Sequence, residues 1–404
     1  MLLSPHQCRI ERLGVLNATT ASTYTIAQER RRFTRNLVWL SAFVIHEFLM
    51  GLSNVLPWSN NSAAAVHKTE ALSSLSHFWF QFDSLWVIAI ARYGYAHVPA
   101  GSPLEGTAFF PWLPILIHMV GTWAAWCLTQ VVFALSLWML HKVLSRMITD
   151  TQATFAVILF ALNPASIYFS TLYAEPWTLF FTLLSVEFGH RKRWLLAGVS
   201  GMLAASTQAT GVLVGLFPLV GLIFSYRSKD WKRTTGFLVW GIGPLIGIAA
   251  YATYLGLKFH NPLLFSSIQH TGWKDSWTWP WQQFFSVPLG NGFGYSTIKP
   301  TVMGGVSLLF VIGVSRMWGR IVRTGADLER LSTALYGTIG ILLTLSFSMP
   351  GYPFHSTIRI ASVYYPAFAG LALMPKWLGR GALILFTCLA IIGGALFTHQ
   401  WFYL

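Results

Sequence analysis

Charge is scarce in this sequence. Only 10% of its 404 residues are Asp, Glu, Lys or Arg, against about a quarter in ordinary soluble domains. Hydrophobic residues make up 54% and aromatics 16%. A soluble chain of this make-up would expose large apolar patches, so a soluble domain is excluded. Cysteine is scarce too. Cys8, Cys127 and Cys388 lie far apart, form no CxxC pair and are odd in number, which argues against a disulfide framework or a thiolate metal site. Twelve histidines show no HxH or HExxH spacing, so no strong metal site is expected. Neither GxxxxGK[ST] nor GxGxxG on a βαβ pattern occurs, and a cytoplasmic nucleotide donor is unsupported. Residues 1–28 are mixed and polar, without the apolar core of a cleaved signal peptide.

What is present is a series of long apolar runs. Segments near 37–56, 112–140, 152–170, 176–190, 194–209, 211–226, 235–257, 301–318, 332–349, 359–375 and 381–399 read as about 11 transmembrane helices. The fold class expected is an all-α polytopic membrane protein, one integral domain over 1–404. Residues 194–226 are too long for one span and read as a hairpin turning at Gln208–Gly211. With a cytoplasmic N-terminal segment (1–36), the inner loops carry 21 of the 27 Lys and Arg, and the outer ones only Lys68, Arg92, Lys258, Lys274, Lys299 and Arg359. This is the positive-inside pattern. It accounts for the net charge of +14 without nucleic acid. Two outer loops are long, 57–111 and 258–300. They are rich in Trp, Phe and Pro, and are expected to form amphipathic helices at the membrane surface.

With only thirteen acids, their positions are informative. Glu11, Glu29, Asp150, Glu187, Asp230, Asp327 and Glu329 fall near inner basic residues and read as solvated charge balance. Glu70, Asp83, Glu105, Glu175 and Asp275 fall outside. Asp83 precedes LWVIAIARYGY (85–95) and sits among Phe82, Trp86, Tyr93 and Tyr95. A carboxylate at such a boundary could serve as a base toward a bound hydroxyl. It could equally cap the helix that follows. Glu175, in YFSTLYAEPW (168–177), either complements a helix N-terminus or faces the same cavity. Arg359, at the outer mouth of a helix, either snorkels or binds an anion such as a lipid phosphate. His355, Tyr364 and Tyr365 could assist it, and His270 is another outer polar candidate. His118 and the His46–Glu47 pair are intramembrane polar groups without an evident role.

Five stretches in order resemble a known family. HFWFQFDSLWVIAIARYGY followed by GTAFFPWLPILIHMV, then LNPASIYFSTLYAEPWTLFFTLLS, RWLLAGVSGMLAASTQATGVLVG, FHNPLLFSSIQHTGWK and STIRIASVYYPAF, look like the motifs of PIG-V-like mannosyltransferases. These are the GPI mannosyltransferase II family and its prokaryotic relatives. The resemblance spans about 77–370. The chain departs from the family pattern at Phe82, Val87, Gln208 and Asn261.

This resemblance implies a GT-C glycosyltransferase with its catalytic loop at 57–111. Such an enzyme transfers a sugar, commonly mannose, from a polyprenyl-phosphate donor to a lipid or glycan acceptor, with inversion. It places the family's catalytic acid on Asp83, a second acid on Glu175 and the arginine on Arg359. Trp86, Tyr95, His270 and His355 are expected to line the substrate site. No cofactor is certain, and Asp83 and Glu175 could share a divalent cation. The membrane would be the plasma membrane in a prokaryote and the endoplasmic reticulum in a eukaryote. The competing reading is a polytopic transporter or lipid flippase.

Overall fold

The computed structural model describes residues 37–56, 79–97, 104–287 and 295–399. The expected N-terminal segment 1–36, residues 57–78 and 98–103 of the first outer loop and 288–294 of the second lie outside the described residues. The described chain is almost wholly helical. In chain order its helices are α1 Leu37–Asn54, α2 Asp83–Tyr93, α3 Trp112–Val120, α4 Thr122–Leu144 and α5 Asp150–Ala161. There follow α6 Glu175–His190, α7 Trp194–Thr207, α8 Leu216–Arg227, α9 Trp231–Phe259, α10 Leu264–Thr271 and α11 Gln282–Phe285. The last five are α12 Tyr295–Thr324, α13 Leu328–Leu345, α14 Thr357–Ala361, α15 Pro366–Leu371 and α16 Lys376–Thr398.

Six spans, at 37–54, 122–144, 209–227, 231–259, 297–324 and 376–398, are long and apolar enough to cross a bilayer. Large apolar side chains on them, such as Phe48, Leu257 and Ile384, face outward. In water these would be a liability; in lipid they are the solvent-matched surface. The protein is an integral multi-pass membrane protein.

Several expected single segments are divided. The 112–140 run breaks at Gly121, whose φ of 83° no β-carbon residue adopts easily. The chain thereby ends short α3 and starts full-length α4. The 359–375 run is two short helices, because Pro366 sits at the start of α15 and cannot continue α14. The 152–170 run ends its helix at Ala161 and continues as a single 3₁₀ turn, Ser166–Phe169. The 194–226 hairpin forms as expected: Gln208 is extended (φ −157°, ψ 144°) between α7 and a 3₁₀ turn leading into α8.

Small residues allow close helix contact. A β-carbon on Gly243 of α9 would lie 2.0 Å from the backbone oxygen of Gly198 on α7. In a membrane such close approach replaces the hydrophobic drive that holds helices together in water. The two long outer loops do carry short helices, α2, α10 and α11. One feature is not helical: Ser276–Trp277 (β1) pairs antiparallel with Phe347–Ser348 (β2). The pairing ties the second long loop to the segment after α13.

Candidate active site

Asp83 is the first residue of α2, not its cap. The N-cap position belongs to Phe82, which holds φ 51° and makes no side-chain cap bond. A bulky residue at positive φ is strained. Phe82 keeps this conformation with its ring packed edge-on against Phe397 of α16, centroids 5.5 Å apart. The capping alternative for Asp83 is therefore not realised.

The Asp83 carboxylate turns to Arg359 of α14, whose Nη1 donates to Oδ2 at 2.5 Å. The same guanidinium brings Nε within 3.2 Å of Glu175 Oε1. That second contact is one of charge only: Arg359 Nε and Glu175 Oε2 both lack a hydrogen-bond partner. Glu175, 2% exposed, thus keeps one buried carboxylate oxygen without a hydrogen-bond partner. Three segments that are remote in sequence meet here, one cation against two carboxylates.

Two tyrosines form the floor. The Tyr173 and Tyr168 rings lie 5.4 and 5.6 Å from the Arg359 guanidinium carbon, close enough for cation–π attraction. The Tyr173 hydroxyl accepts the Asp83 backbone N–H at 3.2 Å and donates to the Gln81 carbonyl at 3.4 Å. It fixes the entry of α2 from both sides.

The remaining expected site residues divide. Trp86 stacks on Phe109 (5.9 Å, 17°) and meets Trp273 edge-on (5.7 Å, 64°), which joins the first outer loop to the second. His355 lies beside the arginine's own helix. Burial, then the charges of Lys299 and Arg359, push its imidazole down to about 4. His270 is exposed on α10, with Nδ1 3.0 Å from the Asp275 carbonyl. Tyr95 is buried in a separate cluster with Tyr251 and gives its hydroxyl to the Phe109 carbonyl at 2.8 Å. Tyr364 and Tyr365 are buried against Tyr336, and His118 bonds the Ala91 carbonyl.

Three further residues belong to this end of the molecule. Burial raises the Asp275 carboxyl to about 6, against the opposing pull of Arg359. Lys299 supplies a second cation near His355. Gln283, 1% exposed, donates through Nε2 to the Leu345 and Phe347 carbonyls (2.6 and 3.0 Å) and accepts the Phe354 N–H (2.6 Å). One side-chain amide thereby holds the segment that carries His355 and Arg359. Asp275 was visible among the outer acids, but nothing in its local sequence tied it to Arg359. Gln283 carried no signal at all, since its partners are backbone atoms more than sixty positions away.

Among the described residues no group of three His, Cys, Asp or Glu side chains could hold a metal. The positive charge shared by Asp83 and Glu175 is that of Arg359. Within the helices, His46 Nδ1 contacts the Ala161 carbonyl (2.8 Å) and Nε2 the Ser170 hydroxyl (2.6 Å), while Ser170 Oγ lies 3.0 Å from Glu47 Oε1. If His46 donates to Ala161, the single Ser170 proton cannot serve both Nε2 and a carboxylate. The trio is then complete only with one proton more on His46 or Glu47.

No protein-family model matches the chain, and no curated protein sequence matches it. Solved structures share its backbone course in part. The crystal structure of ArnT from Cupriavidus metallidurans bound to undecaprenyl phosphate has a TM-score of 0.48 at 12% identity, covering 90% of this chain and 76% of that one. The apo oligosaccharyltransferase of Archaeoglobus fulgidus has a TM-score of 0.49 at 13% identity, covering 88% and 56%. The same organism's AglB, in complex with an inhibitory peptide and a dolichol-phosphate, gives 0.46 at 12% identity, covering 89% and 55%. The present chain thus spans little more than half the length of the archaeal enzyme. At these identities the likeness assigns no residue a role.

Proposed function

We propose that this chain is a GT-C type glycosyltransferase. It moves a sugar, mannose by the resemblance of its motifs, from a polyprenyl-phosphate donor to a lipid or glycan acceptor on the outer or lumenal face. One observation carries this reading: of Asp83, Glu175 and Arg359, matched to the family motifs one by one, the arginine contacts both acids. Local sequence offered a shared cavity only as one of two readings for Glu175.

In the proposed reaction Asp83 accepts the proton of the acceptor hydroxyl. The acceptor oxygen bonds to the anomeric carbon from the face opposite the donor phosphate. The bond from that carbon to the phosphate oxygen breaks, and the lipid phosphate leaves with the electron pair. Phosphate is a good leaving group, so no acid is required to protonate it, unlike the paired carboxylates of a glycosidase. Arg359 stabilises charge that grows on the phosphate. Without donor, Arg359 is occupied by two carboxylates. The arriving phosphate competes for the guanidinium and loosens it from Asp83, which uncovers the base as the donor binds. Lys299, His355 and His270 supply further positive or donor groups at this end, and the open Glu175 Oε2 suits a sugar hydroxyl.

The second reading, a transporter or flippase, draws on the His46–Ser170–Glu47 trio, whose two ionisable members lie within α1, since ionisable groups at depth commonly mark transport pathways. The deciding experiment incubates the purified protein in nanodiscs with radiolabelled polyprenyl-phosphate-mannose and a lipid extract of the source cells. Label reaching a new product with wild type, and not with Asp83→Asn, supports the transferase. Transfer that survives Asp83→Asn removes Asp83 as base. No transfer from mannose, glucose or arabinose donors, together with donor movement across the bilayer that Glu47→Gln stops, establishes the transporter.

A further inference from the structure

The opposite end of the molecule carries a second constellation. Glu187, near the end of α6, accepts from Lys142 Nζ of α4 (2.7 Å), Arg146 Nη1 (2.7 Å) and Arg191 Nε (2.6 Å). Arg146 also reaches Glu329 Oε1 through Nε, at 2.5 Å. Three cations therefore share two carboxylates, and one positive charge is left over. Arg146 Nη2 is buried and has no hydrogen-bond partner. Ordinary inner-loop charge would sit on a solvated surface. Here it borders a groove between α4 and α6 of about 150 Å³, with Trp138, Leu184 and Phe188 as apolar walls and Lys142 and Arg191 at its edge beside the Glu187 carboxylate they share, two cations to one anion. The Lys142 ammonium lies 5.5 Å from the centre of the Trp138 ring. Trp138 is 40% exposed, and the Lys142 and Arg191 side chains are 36% and 47% exposed, so both cations are accessible beside an indole that faces lipid.

We infer that this groove binds an anionic phospholipid of the leaflet next to the basic loops, with its phosphate on Lys142 and Arg191 and the start of an acyl chain against Trp138, Leu184 and Phe188. The ligand must be both apolar and anionic, because the walls and the edge ask for both in one molecule. Basic pockets between membrane helices on the cytoplasmic side take such headgroups, and ammonium and guanidinium both form short charge-assisted bonds to phosphate. By contrast the larger groove along α1, lined by Leu37, Ala42, Ile45 and Ile158, has no charged residue and selects no headgroup. The Lys142–Arg191 site is independent of the sugar-transfer reading.

The test uses full-length protein stripped of lipid by detergent exchange and titrated with short-chain phosphatidylglycerol or phosphatidylcholine, with retention read by native mass spectrometry. Wild type is expected to keep one phosphatidylglycerol in preference to phosphatidylcholine. Each cation near an anionic headgroup is worth about fivefold, so the double variant Lys142→Gln, Arg191→Gln should lose about 25-fold. The control pair Lys376→Gln, Arg380→Gln, exposed at the start of α16, should lose little. Leu184→Trp fills the groove and keeps every cation, and should also lose retention; it decides the matter if the charge variant fails to fold. Equal retention of the two lipids overturns the proposal, as does equal loss in the control pair. Displacement of the lipid by millimolar inorganic phosphate, with Leu184→Trp unaffected, also overturns it in favour of a simple anion site.

Discussion

Arg359 donates to Asp83 across 276 residues of sequence, at 2.5 Å, and the same guanidinium faces Glu175. The pair fixes the proposed base where both long outer loops and the α13–α14 connection converge.

Asp83→Asn is nearly isosteric and keeps an acceptor for Arg359. Transfer should fall by about 10²- to 10⁴-fold, the usual worth of a positioned general base. Melting in detergent should be much less affected. Initial rates with saturating donor, set beside a melting curve, check both halves.

Arg359→Met leaves Asp83 and Glu175 without their shared cation in a site where the Glu175 side chain is 3% exposed. Breaking a buried pair in this way costs about 3–5 kcal/mol. Adding Glu175→Gln should recover part of that loss and no activity. Arg359→Lys should restore charge without the fork that spans two carboxylates, and so fold better than it turns over. Comparing melting and turnover for the three variants separates charge from geometry.

Asp275 and His355 give opposite pH slopes. Asp275 is raised from 3.8 to about 6, so the folded state holds a proton that the unfolded chain has lost, and stability falls as pH rises from about 4 to 6. His355 is lowered from 6.5 to about 4, so the unfolded chain takes up the proton first, and stability rises with pH from about 4 to 6.5. In wild type the two largely cancel. Asp275→Asn should unmask the histidine: its melting temperature should climb between pH 4.5 and 6.5 more steeply than that of wild type.

Gln283→Leu removes three hydrogen bonds and leaves two carbonyls and one N–H to find other partners. With about 1 kcal/mol per bond and more for each buried group left unpaired, a loss of about 3 kcal/mol is expected. Hydrogen exchange at Phe354 and in α14 should rise well before exchange in α4 and α6.

Much of this architecture was legible in apolar run length and loop charge, because a bilayer imposes both. The hairpin at Gln208 came from length alone, since 194–226 fits neither one span nor two long ones. The break at Gly121 and the division of 359–375 were not legible from hydropathy. Gly121 is apolar enough to sit in a helix, and only its φ shows that it does not. The motif resemblance picked out Asp83, Glu175 and Arg359, and their contact is geometry that sequence could not supply. Tyr95 shows the converse. It reads like a residue for a sugar face, yet its hydroxyl is committed to the Phe109 carbonyl. An aromatic next to a site and an aromatic that holds up its wall carry the same letter.

The β1–β2 pairing and the Gln283 amide bind the second outer loop and the His355–Arg359 segment into one piece, while Asp83 arrives from the first loop and meets that piece through Arg359 and the Trp86–Phe109–Trp273 contacts. Among the described residues this end is therefore built as two pieces. The seam between them passes through the Asp83–Arg359 bond, and under the proposed transferase reading a widening that admits a lipid-linked sugar would part it. The Asp83–Arg359 bond is then also the latch between the two pieces, and the loosening of that bond proposed for donor binding would ease them apart.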